Sequence, residues 1–234
     1  MTQFGMQRFN FLPPVIKNLL IINGLVFLAT LTFPSLIEKL AMYYPTSPEF
    51  QPYQIITHLF THGSFGHVFF NMFALWMFGA VLENVWGGKR FLIYYFITGI
   101  GATLLYTGVH AIQLYQITGS ISPDILKEGY FIGNYSESNL STLRAIFSPL
   151  VGASGAVYGV LLAYGMLFPN TLIYIYFLLP LKAKYLVMIL TAIELYMGFI
   201  NNPADNVAHF AHLGGMLVGF VLIKYWQKSK TKFY

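Results

Sequence analysis

The sequence predicts an all-α, polytopic membrane protein, and three observations lead to that fold class. Of its 234 residues, 56% are hydrophobic and only 9% are charged, whereas an ordinary soluble domain carries about 25% charged residues. The mean hydropathy is +0.62. The apolar residues are also collected into separate runs, each close to the roughly 20 residues that cross the hydrocarbon core of a bilayer.

Six such runs predict six membrane-spanning helices in one domain, 15–226, between an N-terminal tail at 1–14 and a basic tail at 227–234. An even number of spans places both tails on one side. The connection at 34–63 is rich in aromatic residues and prolines and is expected to lie in the membrane surface. Pro180 and two lysines interrupt 170–184, and its Ile-Tyr-Ile-Tyr-Phe run is more typical of a strand or an interfacial segment than of a helix, so we predict a shallow loop. The predicted spans are residues 15–33, 64–86, 91–112, 148–168, 185–200 and 206–226.

The basic residues predict the orientation, because lysine and arginine are enriched in cytoplasmic loops. Three of the 13 basic residues, Lys39, Lys127 and Arg144, fall on the predicted outer side, which leaves ten on the inner side. Both tails are therefore expected in the cytoplasm. The long polar connection 113–147 and the short loop 201–206, a candidate lid, are expected outside.

Composition also excludes whole classes of function. The chain has no cysteine, which rules out disulfides and thiolate metal sites. Its net charge of +5 comes from residues placed between apolar spans and not from one basic stripe, so nucleic acid is not a predicted partner.

A patch of small residues at the start of the fourth predicted span, 152–159, contains one hydroxyl nucleophile, Ser154. Small residues let helices approach closely in lipid, so this span is predicted to be the central helix. A lone serine in a span usually serves packing alone. A chemical role for Ser154 therefore requires partners elsewhere in the chain.

Candidate partners lie in two other spans. His67 and Asn71, four residues apart, share a face of the second span, and Gly215 allows another helix to approach the face of His212 on the sixth. At 1.5 Å per residue, Ser154, Asn71 and His212 each lie about 9–11 Å below the start of their predicted helices. Leaving such groups unpaired in lipid costs several kcal/mol. A serine beside an imidazole is the arrangement of a nucleophile and its base.

Three motifs thus occur in order on three spans. They are His67-x-x-x-Asn71, Gly152-Ala-Ser154-Gly and Ala211-His212-x-x-Gly215. Together they resemble the rhomboid intramembrane serine proteases, over about residues 55 to 226. The resemblance implies a six-helix bundle in which Ser154 is the nucleophile and His212 is the general base, with no buried carboxylate in the dyad.

The resemblance also implies supporting roles. His67, Asn71 and the backbone N–H of Ser154 would donate hydrogen bonds to the oxyanion, and Tyr158 would pack on the ring of His212. Gly152 and Gly215 would support the site. The implied activity is cleavage of transmembrane or juxtamembrane segments of other membrane proteins, within the lipid bilayer and without a cofactor or metal.

The sequence departs from the family pattern in two places. Many members carry a Trp-Arg pair in the first outer loop where this chain has Tyr53-Gln54, and the connection 113–147 is unusually long. Both departures concern loop packing and the choice of substrate. The implied location is a bacterial cytoplasmic membrane, with both termini in the cytoplasm.

Two alternative functions remain open at this stage. One is a non-catalytic rhomboid-like protein that binds membrane clients. The other is a metal or proton-coupled transport site built on His58, His62, His67 and Glu194. The spacing of His58 and His62 suits metal ligands, but no His-Glu-x-x-His motif is present, so we predict that both are structural hydrogen bonders. His110, at the end of the third span, is expected to face the membrane interface.

Glu194 and His209 could also assist catalysis. His209 lies three residues before His212 and is a rival base, but we expect it to support the adjoining loop. Glu194 lies about 9 Å from the outer end of the fifth span, at the depth of Ser154. Because lipid surroundings disfavour an ionised carboxylate, Glu194 is predicted to be protonated, to bridge two helices and to stay out of the catalytic group.

Overall fold

The computed structural model describes residues 9–123, 126–127, 130–131, 133–175, 178–200 and 208–228, and most of them are helical. Within these ranges the chain forms ten α-helices and two β-hairpins. The helices are α1 (Pro14–Thr32), α2 (Ser35–Leu40), α3 (Gln54–Thr57), α4 (Phe65–Ala74), α5 (Ala80–Trp86), α6 (Gly88–Thr118), α7 (Glu137–Phe147), α8 (Ser154–Leu167), α9 (Ala183–Ile200) and α10 (His209–Lys228). The antiparallel hairpins pair β1 (Leu126–Lys127) with β2 (Tyr130–Phe131), and β3 (Leu172–Ile175) with β4 (Leu179–Lys182).

Four helical segments are long and apolar enough to cross a membrane: α1, α4 through α5, α6 and α9. They coincide with the first, second, third and fifth predicted spans. The fourth and sixth predicted spans correspond to α8, which has 14 residues, and to α10, which has 20. Neither belongs to the set of four, so the count of six spans stays a prediction.

The start of α8 differs from the prediction. The helix begins at Ser154 and not at residue 148, because the preceding segment is held in an extended form. Leu150 exchanges two backbone hydrogen bonds with Met42, of 2.8 and 2.9 Å, and the N–H of Gly152 donates to the carbonyl of His58 at 2.9 Å. Gly152 has φ +120°, which side chains disfavour. Ser154 therefore opens its helix, and the depth of 9–11 Å predicted for it is wrong.

Other segments contain more structure than predicted. The connection 113–147 contributes the last turns of α6, the first hairpin and α7, whose N-terminus is capped by the Ser136 hydroxyl accepting from Asn139 N–H. The predicted shallow loop contains β3 and β4, and the alternating isoleucine and tyrosine of β3 suit a strand, as its sequence pattern indicates. The fold is thus mostly helical and not all-α. A π turn, Leu75–Gly79, joins α4 to α5.

The helices around the site pack closely through glycines. A methyl group added at Gly155 of α8 would lie 2.5 Å from the Ala102 Cβ of α6, and one at Gly159 would lie 2.7 Å from the Thr98 Cβ. The buried Tyr94 hydroxyl of α6 also donates to the carbonyl of Gly159 at 2.9 Å. Nine of the 14 residues of α8 are buried. Helices α6, α8 and α10 therefore pack so closely that little side-chain volume separates their backbones.

Candidate active site

The serine and histidine singled out by the sequence are in direct contact. Ser154, the first residue of α8, has its Oγ 2.8 Å from Nε2 of His212, in the first turn of α10. That distance is a hydrogen bond. His212 is 7% exposed, and Ser154 is partly exposed. The pair is therefore sheltered by protein while the hydroxyl remains reachable.

Close packing of α8 on α10 brings the two side chains together. A methyl group on Gly215 would overlap the backbone carbonyl of Gly155, and one on Gly214 would lie 3.0 Å from the Cα of Ala102. Only glycine allows these approaches. Because Gly215 is three residues from His212 and Gly155 follows Ser154, the contact between the glycines sets the distance between base and hydroxyl.

Tyr158 lies one turn after Ser154 and stacks on the His212 ring. The two ring centroids are 4.2 Å apart and the planes differ by 8°. The stacking predicted from the sequence is present in the structure. It confines the imidazole to one plane, with Nε2 directed at Ser154.

Glu194 of α9 lies on the other side of the same imidazole. Its Oε2 is 3.0 Å from His212 Nδ1 and 2.6 Å from His209 Nδ1. Its Oε1 accepts a hydrogen bond from the Tyr158 hydroxyl. The contact with His212 is close but not aligned as a hydrogen bond, whereas that with His209 is one. Glu194 therefore bridges helices, as predicted, and it also lies beside the candidate base.

Sequence reasoning missed this cluster, although one signal was available. Glu194 was placed at the depth of Ser154, and two histidines three residues apart were noted on α10. The cost of removing a charge from water argues against an ionised carboxylate at the position of Glu194. The two donors that satisfy it, Tyr158 and His209, offset that cost, since hydrogen bonds to a buried carboxylate favour its charged form.

The two side chains predicted to donate hydrogen bonds to the oxyanion, His67 and Asn71, differ in how they are placed relative to Ser154. A methyl group on Gly152 would lie 2.6 Å from His67 Nε2 and 3.7 Å from Ser154 Oγ. The separation of the His67 nitrogen and the Ser154 oxygen therefore cannot exceed the sum of these two distances. Asn71 is 7% exposed, and its Nδ2 donates to the carbonyl of His67 at 2.9 Å. His67 and Ser154 thus both lie next to Gly152, and the Asn71 amide is engaged within its own helix.

The backbone around Ser154 supplies a further donor. As the first residue of α8, Ser154 has an N–H that lacks a partner within the helix. Gly152 and Ala153 precede it, and the left-handed Gly152 turns the chain sharply into the helix. A side chain at Gly152 would collide with the His67 ring, which explains why glycine is needed there.

The remaining histidines have structural surroundings. His58 is 2% exposed, with Nδ1 2.7 Å from the Gln54 carbonyl and Nε2 2.8 Å from the Thr103 hydroxyl, which confirms that it is a structural hydrogen bonder. Burial lowers its pKa to about 4. His110 was expected at the interface but is buried, with its ring 4.0 Å from that of Tyr106.

His62 does not fit its prediction. It is 1% exposed, and neither ring nitrogen makes a well-aligned hydrogen bond to the described residues. Burial, followed by the neighbouring charge of His67, lowers its pKa to about 4. Its ring meets the His67 ring edge-on with centroids 4.9 Å apart. His62 thus acts as a neutral packing partner behind His67.

The set proposed for a transport site is not assembled. Among the described residues, the one group of three potential metal ligands is Glu194, His209 and His212. His58 is instead committed to Gln54 and Thr103.

Two cavities differ in size and in position relative to Ser154. A small one of about 10 Å³ touches Ser154, Gly152, His58 and Thr103, and holds roughly one water molecule. A larger one of about 490 Å³ lies at the turn between α5 and α6, lined by Trp86, Lys89, Arg90 and Trp226 among others. Trp226 is 14 residues after His212 on α10, about 21 Å along the helix. The larger cavity is therefore remote from the serine.

Comparison with known proteins identifies the family of this chain. Residues 49–228 match the Rhomboid domain family model. The chain belongs to the rhomboid family. It is an integral, multi-pass membrane protein of that family, with apolar helices long enough to cross a bilayer.

Curated relatives of this rhomboid protein come from several kinds of organism. It is 27% identical over 179 residues to "RHOMBOID-like protein 12, mitochondrial" of Arabidopsis thaliana, covering 76% of this chain and 48% of that protein. It is 28% identical to "Rhomboid protein 1, mitochondrial" of Saccharomyces cerevisiae, covering 76% and 43%. It is 27% identical to "Putative rhomboid protease YdcA" of Bacillus subtilis, covering 77% and 71%. The chain thus spans about half the length of the two mitochondrial relatives.

The departure at Tyr53-Gln54 has a structural explanation in this rhomboid protein. Gln54 is 1% exposed, and its amide donates to the carbonyls of Glu49 at 3.0 Å and Lys39 at 3.3 Å. Its Oε1 accepts from the N–H of Gln51 at 3.0 Å. Gln54 therefore links Lys39, Glu49 and Gln51 within the first connection.

Proposed function

We propose that this rhomboid protein is an intramembrane serine endopeptidase with a Ser154–His212 pair at its centre. The observation that carries the proposal is the 2.8 Å contact between Ser154 Oγ and His212 Nε2. A hydroxyl in hydrogen-bond contact with a neutral imidazole has a base for its proton. Names of relatives that include the word protease support the same activity.

In the proposed reaction, Ser154 Oγ attacks a peptide carbonyl carbon while His212 Nε2 takes the hydroxyl proton. The tetrahedral intermediate collapses as His212 gives that proton to the leaving amine, and an ester to Ser154 remains. Water then attacks the ester with His212 again as base. The proton returns to Ser154, and the new carboxyl terminus leaves.

The developing negative charge on the carbonyl oxygen needs donors near Ser154. The Ser154 N–H at the start of α8 and the His67 ring are our candidates, with Asn71 joining them once its amide turns from the His67 carbonyl. In other acyl-transfer enzymes, loss of one such donor costs roughly 3–4 kcal/mol of transition-state stabilisation.

The proposed substrates are transmembrane or juxtamembrane segments of other membrane proteins. A peptide carbonyl in an intact helix is already hydrogen-bonded, so a segment must unwind locally before attack. Segments with glycine or another weak helix former near the cut are therefore favoured. The partly exposed Ser154 at the helix start is suited to receive such an extended stretch.

We further propose six spans around a central α8, in a bacterial cytoplasmic membrane with both termini in the cytoplasm. The ten-to-three distribution of basic residues supports this orientation. Relatives include mitochondrial proteins as well as two from Bacillus subtilis. In this arrangement the N-terminal ends of α8 and α10, and with them Ser154, lie near the outer face.

The test is activity-based labelling together with cleavage of a model transmembrane substrate in liposomes. Ser154→Ala should abolish both fluorophosphonate labelling and cleavage, and His212→Ala should reduce both to near background, with melting temperatures close to that of the unaltered protein. Ser148→Ala is the matched control, because this exposed hydroxyl donates to the Arg144 carbonyl of its own helix end and takes no part in the candidate site. It should change neither readout.

The alternative of a non-catalytic client-binding protein makes the opposite prediction. It would give no labelling in the unaltered protein and equal client binding in Ser154→Ala. Cleavage that survives in Ser154→Ala would likewise refute the assigned nucleophile.

A further inference from the structure

Two glutamates are buried among the described residues, and one of them, Glu194, lies beside the serine–histidine pair. Glu194 is 5% exposed, and its side chain lies between α8 and α10 on the far side of the His212 ring from Ser154. A charge buried in a membrane protein is costly and usually functional. Its contacts indicate what it does.

Three groups surround the two oxygens of Glu194. The Tyr158 hydroxyl donates to Oε1, and His209 Nδ1 lies 2.6 Å from Oε2. His212 Nδ1 lies 3.0 Å from the same oxygen. The first two contacts fix the carboxylate from α8 and α10, and the third leaves its charge beside the proposed base.

From this geometry we propose that Glu194 is a positioning residue that completes a serine–histidine–glutamate group. This inference rests on the proposed function. When His212 takes the proton from Ser154, the ring becomes a cation, and a carboxylate 3.0 Å from Nδ1 stabilises it. Glu194 keeps its charge throughout and accepts no proton. Since the His212 contact is not aligned as a hydrogen bond, the stabilisation is mainly electrostatic.

His209 and Tyr158 hold Glu194 in place. His209 was predicted to support a loop, and residues 201–207 of that loop lie outside the described residues. The structure gives His209 a second role, because its Nδ1 shares Oε2 with His212. Tyr158 both stacks on His212 and donates to Glu194. One tyrosine therefore orients the base and anchors the carboxylate.

A metal ion is the competing explanation for this cluster. Nitrogen and oxygen ligands at about 2.0–2.1 Å from a tetrahedral zinc ion lie about 3.3 Å apart. The separation of 2.6 Å between His209 and Glu194 is shorter and matches a charge-assisted hydrogen bond. The observed spacing therefore favours a hydrogen bond between His209 and Glu194 over a metal ion bound by both.

The experiment compares kcat and KM for Glu194→Gln with those of the unaltered protein in liposomes. The amide preserves shape but removes the charge, so kcat should fall about 10²-fold or more while KM changes less than about threefold. Glu194→Asp restores a carboxylate and should recover part of that loss. A purely packing role would leave kcat unchanged in Glu194→Gln or affect Asp and Gln alike.

The matched control is Glu83→Gln. Glu83 is another buried glutamate, but its oxygens accept from the N–H groups of Val15 at 2.9 Å and Ile16 at 2.8 Å at the start of α1. The same chemical change there should leave kcat unaltered. If Glu194→Gln does not fold, His209→Gln decides the matter, with a fall in kcat of about tenfold expected and an unchanged kcat overturning the proposal.

Two outcomes separate this inference from the proposed function. Full kcat in Glu194→Gln, with no cleavage by Ser154→Ala, overturns the role of Glu194 and leaves the serine protease intact. Stoichiometric zinc in the purified protein, lost in Glu194→Gln together with activity and restored by added zinc, would replace the carboxylate proposal with a metal site.

Discussion

Gly215→Ala tests whether close packing of α8 and α10 sets the distance between Ser154 and His212. A methyl group at Gly215 would lie 2.7 Å from the carbonyl carbon of Gly155, and closer still to its oxygen, whereas ordinary contact begins at 3.4 Å. The carbon contact alone requires a retreat of 0.7 Å, and the oxygen requires more. The two helices must therefore move apart.

The expected effect on activity is large because the hydrogen bond from Ser154 to His212 spans only 2.8 Å. A misplacement of about 1 Å in a catalytic group can cost roughly 10²-fold in rate. Overpacking a tight interface costs roughly 1–3 kcal/mol in the free energy of unfolding. For a chain of this size that loss corresponds to a fall in melting temperature of about 2–12 °C.

The assay measures the rate of fluorophosphonate labelling and the melting temperature of the same preparation. Gly24→Ala in α1 is the matched control, because a methyl group there meets nothing within 4 Å and alanine favours a helix by about 1 kcal/mol. It should label normally and melt no lower than the unaltered protein. Normal labelling and melting in Gly215→Ala would show that helix separation does not control the dyad.

Two further predictions concern pH dependence and topology. His58 has a pKa of about 4 when folded and an ordinary value of 6.5, so its stabilising contribution is complete above pH 6.5 and is lost as the pH falls from 6.5 toward 4, by up to roughly 3 kcal/mol. The melting temperature should fall between pH 7 and pH 5, less steeply in His58→Gln, and an equal slope in both proteins would contradict the cause. In this cysteine-free chain, Ser122→Cys should react with an impermeant maleimide from outside intact cells and Gln227→Cys only after lysis. The reverse pattern would invert the proposed orientation.

Much of the fold follows from local sequence. Apolar runs near the length of a membrane span coincide with the four long apolar helical segments and overlap α8 and α10, because in lipid a backbone must satisfy its hydrogen bonds within each segment. The start of α8 was not predictable in this way. Its position depends on Leu150 pairing with Met42, more than 100 residues earlier, and on a glycine conformation that composition does not specify.

Local sequence likewise predicts one part of the candidate site and not the other. Spacing along single helices identified Ser154, His212, Tyr158 and His67, since each motif is a few residues long. The placement of Glu194 depends on three helices meeting. The cost of burying a charge predicts that Glu194 stays out of the catalytic group, whereas its hydrogen-bond partners Tyr158 and His209 are visible only in the tertiary structure.

The pairing of Met42 with Leu150 also has a mechanical consequence. The first connection binds the extended stretch before Ser154 by backbone hydrogen bonds at two points. Met42 pairs with Leu150, and the His58 carbonyl accepts from the N–H of Gly152. Nucleophile and connection therefore move as one piece. If the connection lies in the membrane surface, as the sequence predicts, a change in bilayer thickness would act on Ser154 through these backbone hydrogen bonds.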